Sequence, residues 1–115
     1  MKCLVLTYHS HNIAGTGYGS NDHVSLAADL EILHRLGAEV VPLTAIARAV
    51  AAGSAAGHSR PRVGISFDDG PIFDYEDFTH PKHGPQRSFL NILRDFRKSR
   101  GPRALPGTCG NPAGC

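Results

Sequence analysis

The feature that most constrains the fold is the apolar run "VGISF" at residues 63–67, which ends directly in two carboxylates, Asp68 and Asp69. A short apolar run without alternation is typical of a strand covered on both faces, as in a parallel sheet. Adjacent carboxylates repel each other unless a cation or a proton lies between them. An exposed Asp-Gly turn is the ordinary interpretation. The alternative is a metal-plus-base site at the end of a parallel strand.

Strand-like and helix-like segments alternate along the chain up to about residue 100. Apolar runs predict strands at 3–7, 38–43 and 62–67, with the third strand in the centre of the sheet. Amphipathic patterns predict a helix capped by Ser25, a second helix capped by Thr44 and a third over 86–98. Residues 70–85 are expected to form a long loop. This order indicates an α/β fold with a parallel sheet.

Polar side chains follow two of the predicted strands at the point where each strand ends. Tyr8 and His9 end the first strand, and Asp68 and Asp69 follow the third. The carboxyl ends of parallel strands meet at one edge of a sheet, where α/β folds place their sites. We therefore expect His9 to lie near the aspartate pair. His11 and His23 are expected to be loop residues without ligand roles.

Composition excludes several classes of function. The chain has 115 residues and a net charge of +2, and its basic residues are concentrated between 94 and 103. This cluster resembles a helix end and a tail, with no nucleic-acid-binding motif beside it, so no nucleic-acid partner is expected. No run is long enough to cross a membrane and no secretory leader is recognised, which makes the cytoplasm the expected compartment. Three cysteines without paired spacing predict no disulfide framework.

The segments "LTYHS", "VPLTAIARAV" and "ISFDDGP" together resemble the polysaccharide deacetylase family, carbohydrate esterase family four, with its NodB-type homology domain. The resemblance implies that residues 1–100 are the N-terminal portion of a distorted (β/α) barrel. It also implies a hydrolase acting on the carbon–nitrogen bonds of N-acetyl groups in a carbohydrate. Asp68 would be the general base and Asp69 a ligand of a divalent metal, usually zinc.

Further site residues are expected from position. Tyr8 and His9 are candidates for substrate binding at the mouth of the sheet. Asp77 and His80 are candidates for substrate contacts from the long loop, although acidic loop residues are usually just solvated. The substrate itself is not specified by these residues.

The chain departs from the family in its metal ligands. The family takes two histidines from a later H-x-x-x-H motif, whereas only His80 and His83, spaced H-x-x-H, follow Asp69. The expectation is a truncated domain with an incomplete metal site and weak or no activity. The alternative is a non-catalytic half-domain that binds a ligand or a partner. Residues 101–115 are rich in glycine and proline and are predicted to be irregular, either as a disordered tail or as non-native sequence.

Overall fold

The computed structural model describes residues 3–53, 60–68, 70–101 and 103–105. Strands and helices alternate through the first two thirds of the chain, and a short hairpin precedes the last helix. The elements are β1 Cys3–Tyr8, α1 Asp22–Arg35, β2 Glu39–Val40, α2 Leu43–Ala51, β3 Arg62–Phe67, β4 Phe78–His80, β5 Gly84–Gln86 and α3 Phe89–Arg100, with one 3₁₀ turn at Ile72–Asp74.

The main sheet is parallel and has the strand order β1-β3-β2. β3 pairs with β1 over its full length, from Cys3 opposite Arg62 to Tyr8 opposite Phe67, and with the two residues of β2. The predicted parallel α/β arrangement and the central position of the third strand are confirmed. Among the described strands the sheet is open, and no closed barrel is seen.

Helices cover both faces of β3. Adjacent residues of a strand point to opposite faces. Ile65 is fully buried in a core that includes Leu26 of α1 and Phe89 of α3. A Cβ atom built at Gly64 would lie 2.6 Å from a methyl group of Leu43 in α2. Thus α1 and α3 pack on one face and α2 packs on the other, which explains why the middle of β3, residues 63–65, is buried and apolar on both faces.

Helix α1 begins earlier than predicted. Its N-cap is Asn21, whose side chain accepts hydrogen bonds from the backbone N–H groups of His23 and Val24. Ser25 lies inside the helix, where its hydroxyl accepts a bond from Gly19 N at 3.0 Å. The prediction of Ser25 as N-cap is wrong because asparagine is an equally good cap and lies one turn earlier.

The starts of α2 and α3 also differ from those predicted from the sequence. Thr44 is the second residue of α2 and does not cap it. Pro42 occupies the N-cap position, and no side chain there bonds to the helix. Helix α3 spans 89–100 rather than 86–98, because Ser88 caps it by accepting a bond from Asn91 N at 3.1 Å.

The predicted loop at 70–85 contains a two-stranded antiparallel hairpin, β4–β5, which the sequence analysis missed. Its turn is held by His80, whose Nδ1 accepts bonds from the backbone N–H groups of Lys82 and His83 at 3.1 and 3.2 Å. Gln86, assigned to a helix by its sequence context, lies in β5 and is buried. Its Oε1 accepts a bond from the Asn21 side chain at 2.7 Å, which fastens the hairpin to the start of α1.

The first residues of the tail pack against the body of the protein. Residues 103–105 form a turn, and Leu105 is fully buried in the same core as α1 and α3. The remainder of the predicted irregular tail, 106–115, lies outside the described residues. None of the helices in the described part of the chain combines the length and apolar character needed to cross a bilayer.

Candidate functional site

His9 and Asp68 meet at the carboxyl end of the sheet. The backbone N–H of Asp68 donates to Tyr8 O at 3.2 Å, which extends the parallel pairing one residue beyond β3. The His9 Nε2 atom lies 3.4 Å from Asp68 Oδ2, and the two side chains are 42% and 55% exposed. The expected proximity of the two polar strand ends is confirmed for this pair. Both groups are accessible to a ligand from solvent.

Asp69, the proposed metal ligand, lies outside the described residues. Within 3–53, 60–68, 70–101 and 103–105, no group of three or more histidine, cysteine, aspartate or glutamate side chains is arranged to hold a metal ion. The side chains that meet at the strand end are the His9 imidazole and the Asp68 carboxylate.

The backbone of His9 is anchored to helix α1 through Asp22. The His9 N–H donates to Asp22 Oδ2 at 2.8 Å, and the Asn12 side chain donates to Asp22 Oδ1 at 3.3 Å. Asp22 is the first residue of α1, where a negative charge interacts favourably with the helix dipole. The sequence analysis missed this residue. Its only signal was an acidic side chain directly after a capping asparagine.

Tyr8 lies next to His9 in sequence, but its side chain points into the core. The residue is 5% exposed, and its ring packs edge-on against Phe89. The Tyr8 hydroxyl donates to Asp29 Oδ2 at 2.6 Å, and the Tyr18 hydroxyl donates to the other oxygen of the same carboxylate. Burial, reinforced by the bond to Asp29, raises the pKa of Tyr8. Asp29 was not predicted, because it lies beside the apolar stripe of α1 without any motif around it.

Asp77 is engaged at the start of helix α3. Its Oδ1 accepts bonds from Asn91 Nδ2 at 3.0 Å and from Ser88 N at 2.8 Å, and its Oδ2 accepts one from Arg87 at 2.6 Å. The bond from Asn91, followed by the one from the Ser88 amide, lowers the pKa of Asp77 to about 2. Arg87 also forms a bidentate pair with Asp95. Asp77 thus fastens the hairpin to α3.

His80 lies in the turn of the hairpin, where its ring stacks on His83 at a centroid distance of 4.9 Å. Because Nδ1 accepts the two turn N–H groups, the proton of the neutral ring is carried by Nε2. In the described residues, the hydrogen bonds and ion pairs of Asp77 and His80 go to the hairpin and α3 rather than to His9 or Asp68.

Two other residues of the sequence analysis are placed by aromatic contacts. His11 lies in the loop after β1, as predicted, and packs edge-on against Phe73. His23 lies in the first turn of α1, so its predicted loop position is wrong. It lines a groove of about 580 Å³ between α1 and α3, whose walls also include Leu30, Arg87 and Phe96. Neither His9 nor Asp68 lines this groove.

Comparison of the chain with models of protein families, with curated proteins and with solved structures found no match.

Proposed function

We propose that the strand-end site is a metal-dependent hydrolase site of the polysaccharide deacetylase type, acting on the N-acetyl groups of a carbohydrate. The observation that carries the proposal is the pairing of His9 Nε2 with Asp68 Oδ2 at the exposed carboxyl end of two parallel strands. An accessible imidazole beside an accessible carboxylate is suited to proton transfer.

Each residue has a defined role in the proposal. Asp68 accepts the proton of the attacking water, and His9 contacts the substrate and returns a proton to the departing nitrogen. Asp69 is the ligand for the divalent metal. A bound zinc ion would polarise the acetyl carbonyl and lower the pKa of a water molecule. Asp22 holds the backbone of His9 and so orients the imidazole toward Asp68.

The ligand types at the site, imidazole and carboxylate, suit zinc, but there are too few of them. Imidazole and carboxylate are both ordinary zinc ligands. A catalytic zinc site takes three protein ligands and one open position. The 115-residue sequence has no H-x-x-x-H segment after Asp69. We therefore propose that this chain holds zinc weakly and deacetylates poorly or not at all.

We also propose, from the resemblance to the polysaccharide deacetylase family, that the described sheet is the N-terminal portion of a distorted (β/α) barrel. A regular barrel carries its helices on one outer face. Here α2 lies against Gly64, on the face opposite α1 and α3. If the sheet is part of a barrel, the face of β3 that carries α2 would be the inner face. The barrel assignment therefore requires either that α2 take another position or that the barrel be strongly distorted at this point.

The test combines zinc titration by calorimetry with acetate release from an N-acetylated oligosaccharide. We expect weak zinc binding that is abolished in Asp69→Asn and retained in Asp68→Asn. Any acetate release above the metal-free control should be lost in both variants. Glu76→Gln changes an exposed carboxylate in the loop after the site and is the matched control. Equal zinc affinity in the Asp69 variant and the control would contradict the proposal.

A non-catalytic half-domain is the second candidate, and the exposure of β1 favours it. In the described sheet β1 pairs on one side only, with β3, and its Leu4 and Val5 side chains are 52% and 45% exposed. An unpaired strand edge is a template for another strand, and a two-fold axis would bring two copies of β1 together. Sedimentation equilibrium that shows zinc-independent dimers, lost in Val5→Lys, would support this candidate. A monomer at all concentrations would exclude self-association through β1.

A further inference from the structure

The buried ring of His23 lies between two carbonyl oxygens. His23 is 3% exposed. Its Nδ1 lies 2.6 Å from the carbonyl oxygen of Arg87, and its Nε2 lies 2.9 Å from that of Ser10. A carbonyl oxygen only accepts hydrogen bonds, whereas a neutral imidazole has a single N–H to donate. Only the doubly protonated ring can donate to both oxygens.

Rotating the ring by half a turn does not remove this requirement. The rotation would exchange each ring nitrogen with a ring carbon and place C–H groups against the two oxygens. C–H···O contacts have carbon–oxygen distances of about 3.3–3.6 Å. The observed 2.6 and 2.9 Å are too short for them. The two ring atoms that face the carbonyl oxygens must therefore both be nitrogens, and each must carry a proton.

The aromatic surroundings of His23 favour a cation. The ring stacks on Phe89 with a centroid distance of 4.5 Å and an interplanar angle of 28°, and Phe78 packs against it at 5.4 Å. A cation within about 6 Å of an aromatic centroid is attracted by the ring quadrupole. The Phe89 ring lies within that distance of the His23 ring and is stacked on it.

The nearby charged groups are mutually paired and carry a negative excess. Arg87 binds Asp77 and Asp95, and Glu31 binds Arg100. These three carboxylates and two guanidinium groups come from α1, α3 and the segments that flank the hairpin. Asp22, next to His23 in α1, adds a further carboxylate.

We infer that His23 carries a proton on both ring nitrogens in the folded chain and acts as a proton-dependent clamp between the turn after β1 and the start of α3. Ser10 directly follows His9, and Arg87 directly precedes Ser88, the N-cap of α3. Removal of one proton leaves a nitrogen lone pair facing a carbonyl lone pair in a buried position, so one of the two contacts must open. The turn beside His9 is then no longer fixed to α3.

This inference is independent of the proposed hydrolase, because it requires neither metal nor substrate.

The direct test is NMR spectroscopy of the full chain labelled with ¹⁵N and ¹³C. At pH 7 we expect both ring nitrogens of His23 to have the chemical shifts of protonated nitrogens. His34, exposed on the same helix, is the internal reference. When the His23 ring loses a proton at higher pH, the carbonyl carbon of Ser10 or that of Arg87 should shift with it, because one of the two contacts opens. A singly protonated His23 ring at pH 7, or a ring that loses a proton with no change at either carbonyl, would overturn the inference.

Discussion

The contacts of Asp77 predict that its carboxylate stabilises the fold rather than binding a substrate. In Asp77→Asn the side chain keeps its size and one acceptor oxygen but loses the negative charge that faces Arg87. The bonds from Asn91 and the Ser88 amide, which lower the pKa of the carboxyl most, are weakened at the same time. We expect the free energy of unfolding at pH 7 to fall in this variant.

The size of the effect follows from the pKa of Asp77. Lowering a carboxyl pKa from 3.8 to about 2 corresponds to about 2.5 kcal/mol of preference for the charged form in the folded state. The side chain is 44% exposed, so solvent screening reduces the contribution to about 1 kcal/mol. Because the folded-state pKa is depressed, this stabilisation is present above pH 3.8 and is lost as the pH falls toward 2.

The assay is urea unfolding followed by circular dichroism at pH 7, 5, 4 and 3, with Glu76→Gln as control. The difference between the unaltered chain and Asp77→Asn should be about 1 kcal/mol at pH 7 and should shrink below pH 4. Equal stability at pH 7 would refute the structural role of Asp77. A difference that stays constant down to pH 3 would refute its assignment to the charge.

Three further substitutions test the packing. Leu105→Ala should lower the free energy of unfolding by about 3 kcal/mol, because it empties a fully buried position; an unchanged urea midpoint would show that the tail does not pack. Ser88→Ala should cost about 1 kcal/mol through loss of the α3 cap; an unchanged free energy of unfolding would contradict this role of the hydroxyl. Gly64→Ala should cost about 1 kcal/mol, because its Cβ would crowd Leu43 and Ile46; a stabilised variant would contradict the close approach of α2.

The parallel sheet was predictable because its signal is local. The apolar run before Asp68 has no alternation, since both faces of β3 are covered, and a strand of this kind is recognised from its own residues. The meeting of His9 with Asp68 follows from topology alone, because parallel strands end at the same edge. The helix starts were less predictable. Asn21 and Ser25 are both good caps; in the structure Asn21 caps α1, and the Ser25 hydroxyl accepts a bond from Gly19 instead.

The hairpin was not predictable from its residues. Its strands are three residues each, and β5 contains Pro85 opposite Thr79, which argues against a strand on propensity alone. The pairing is held by the His80 ring in the turn and by the bond between Gln86 and Asn21. The first is a local bond from the turn backbone to a side chain, and the second joins residues that are 65 positions apart in the sequence. The role of Asp29 was equally unpredictable, because its two tyrosine partners, Tyr8 and Tyr18, are separated from it in the sequence.

The placement of the candidate site does not depend on closure into a barrel. The strand order β1-β3-β2 sends the chain from β1 across β3 to β2 and then back to the centre. The residues after β1 and β3 emerge side by side because these two strands are neighbours in parallel register. Helix α1 then fixes His9 through the Asp22 carboxylate. An open parallel sheet with helices on both faces gathers ligands at the carboxyl ends of its strands as a barrel does. The juxtaposition of His9 and Asp68 therefore holds in either architecture, and the arrangement of further strands would change only what else surrounds that pair.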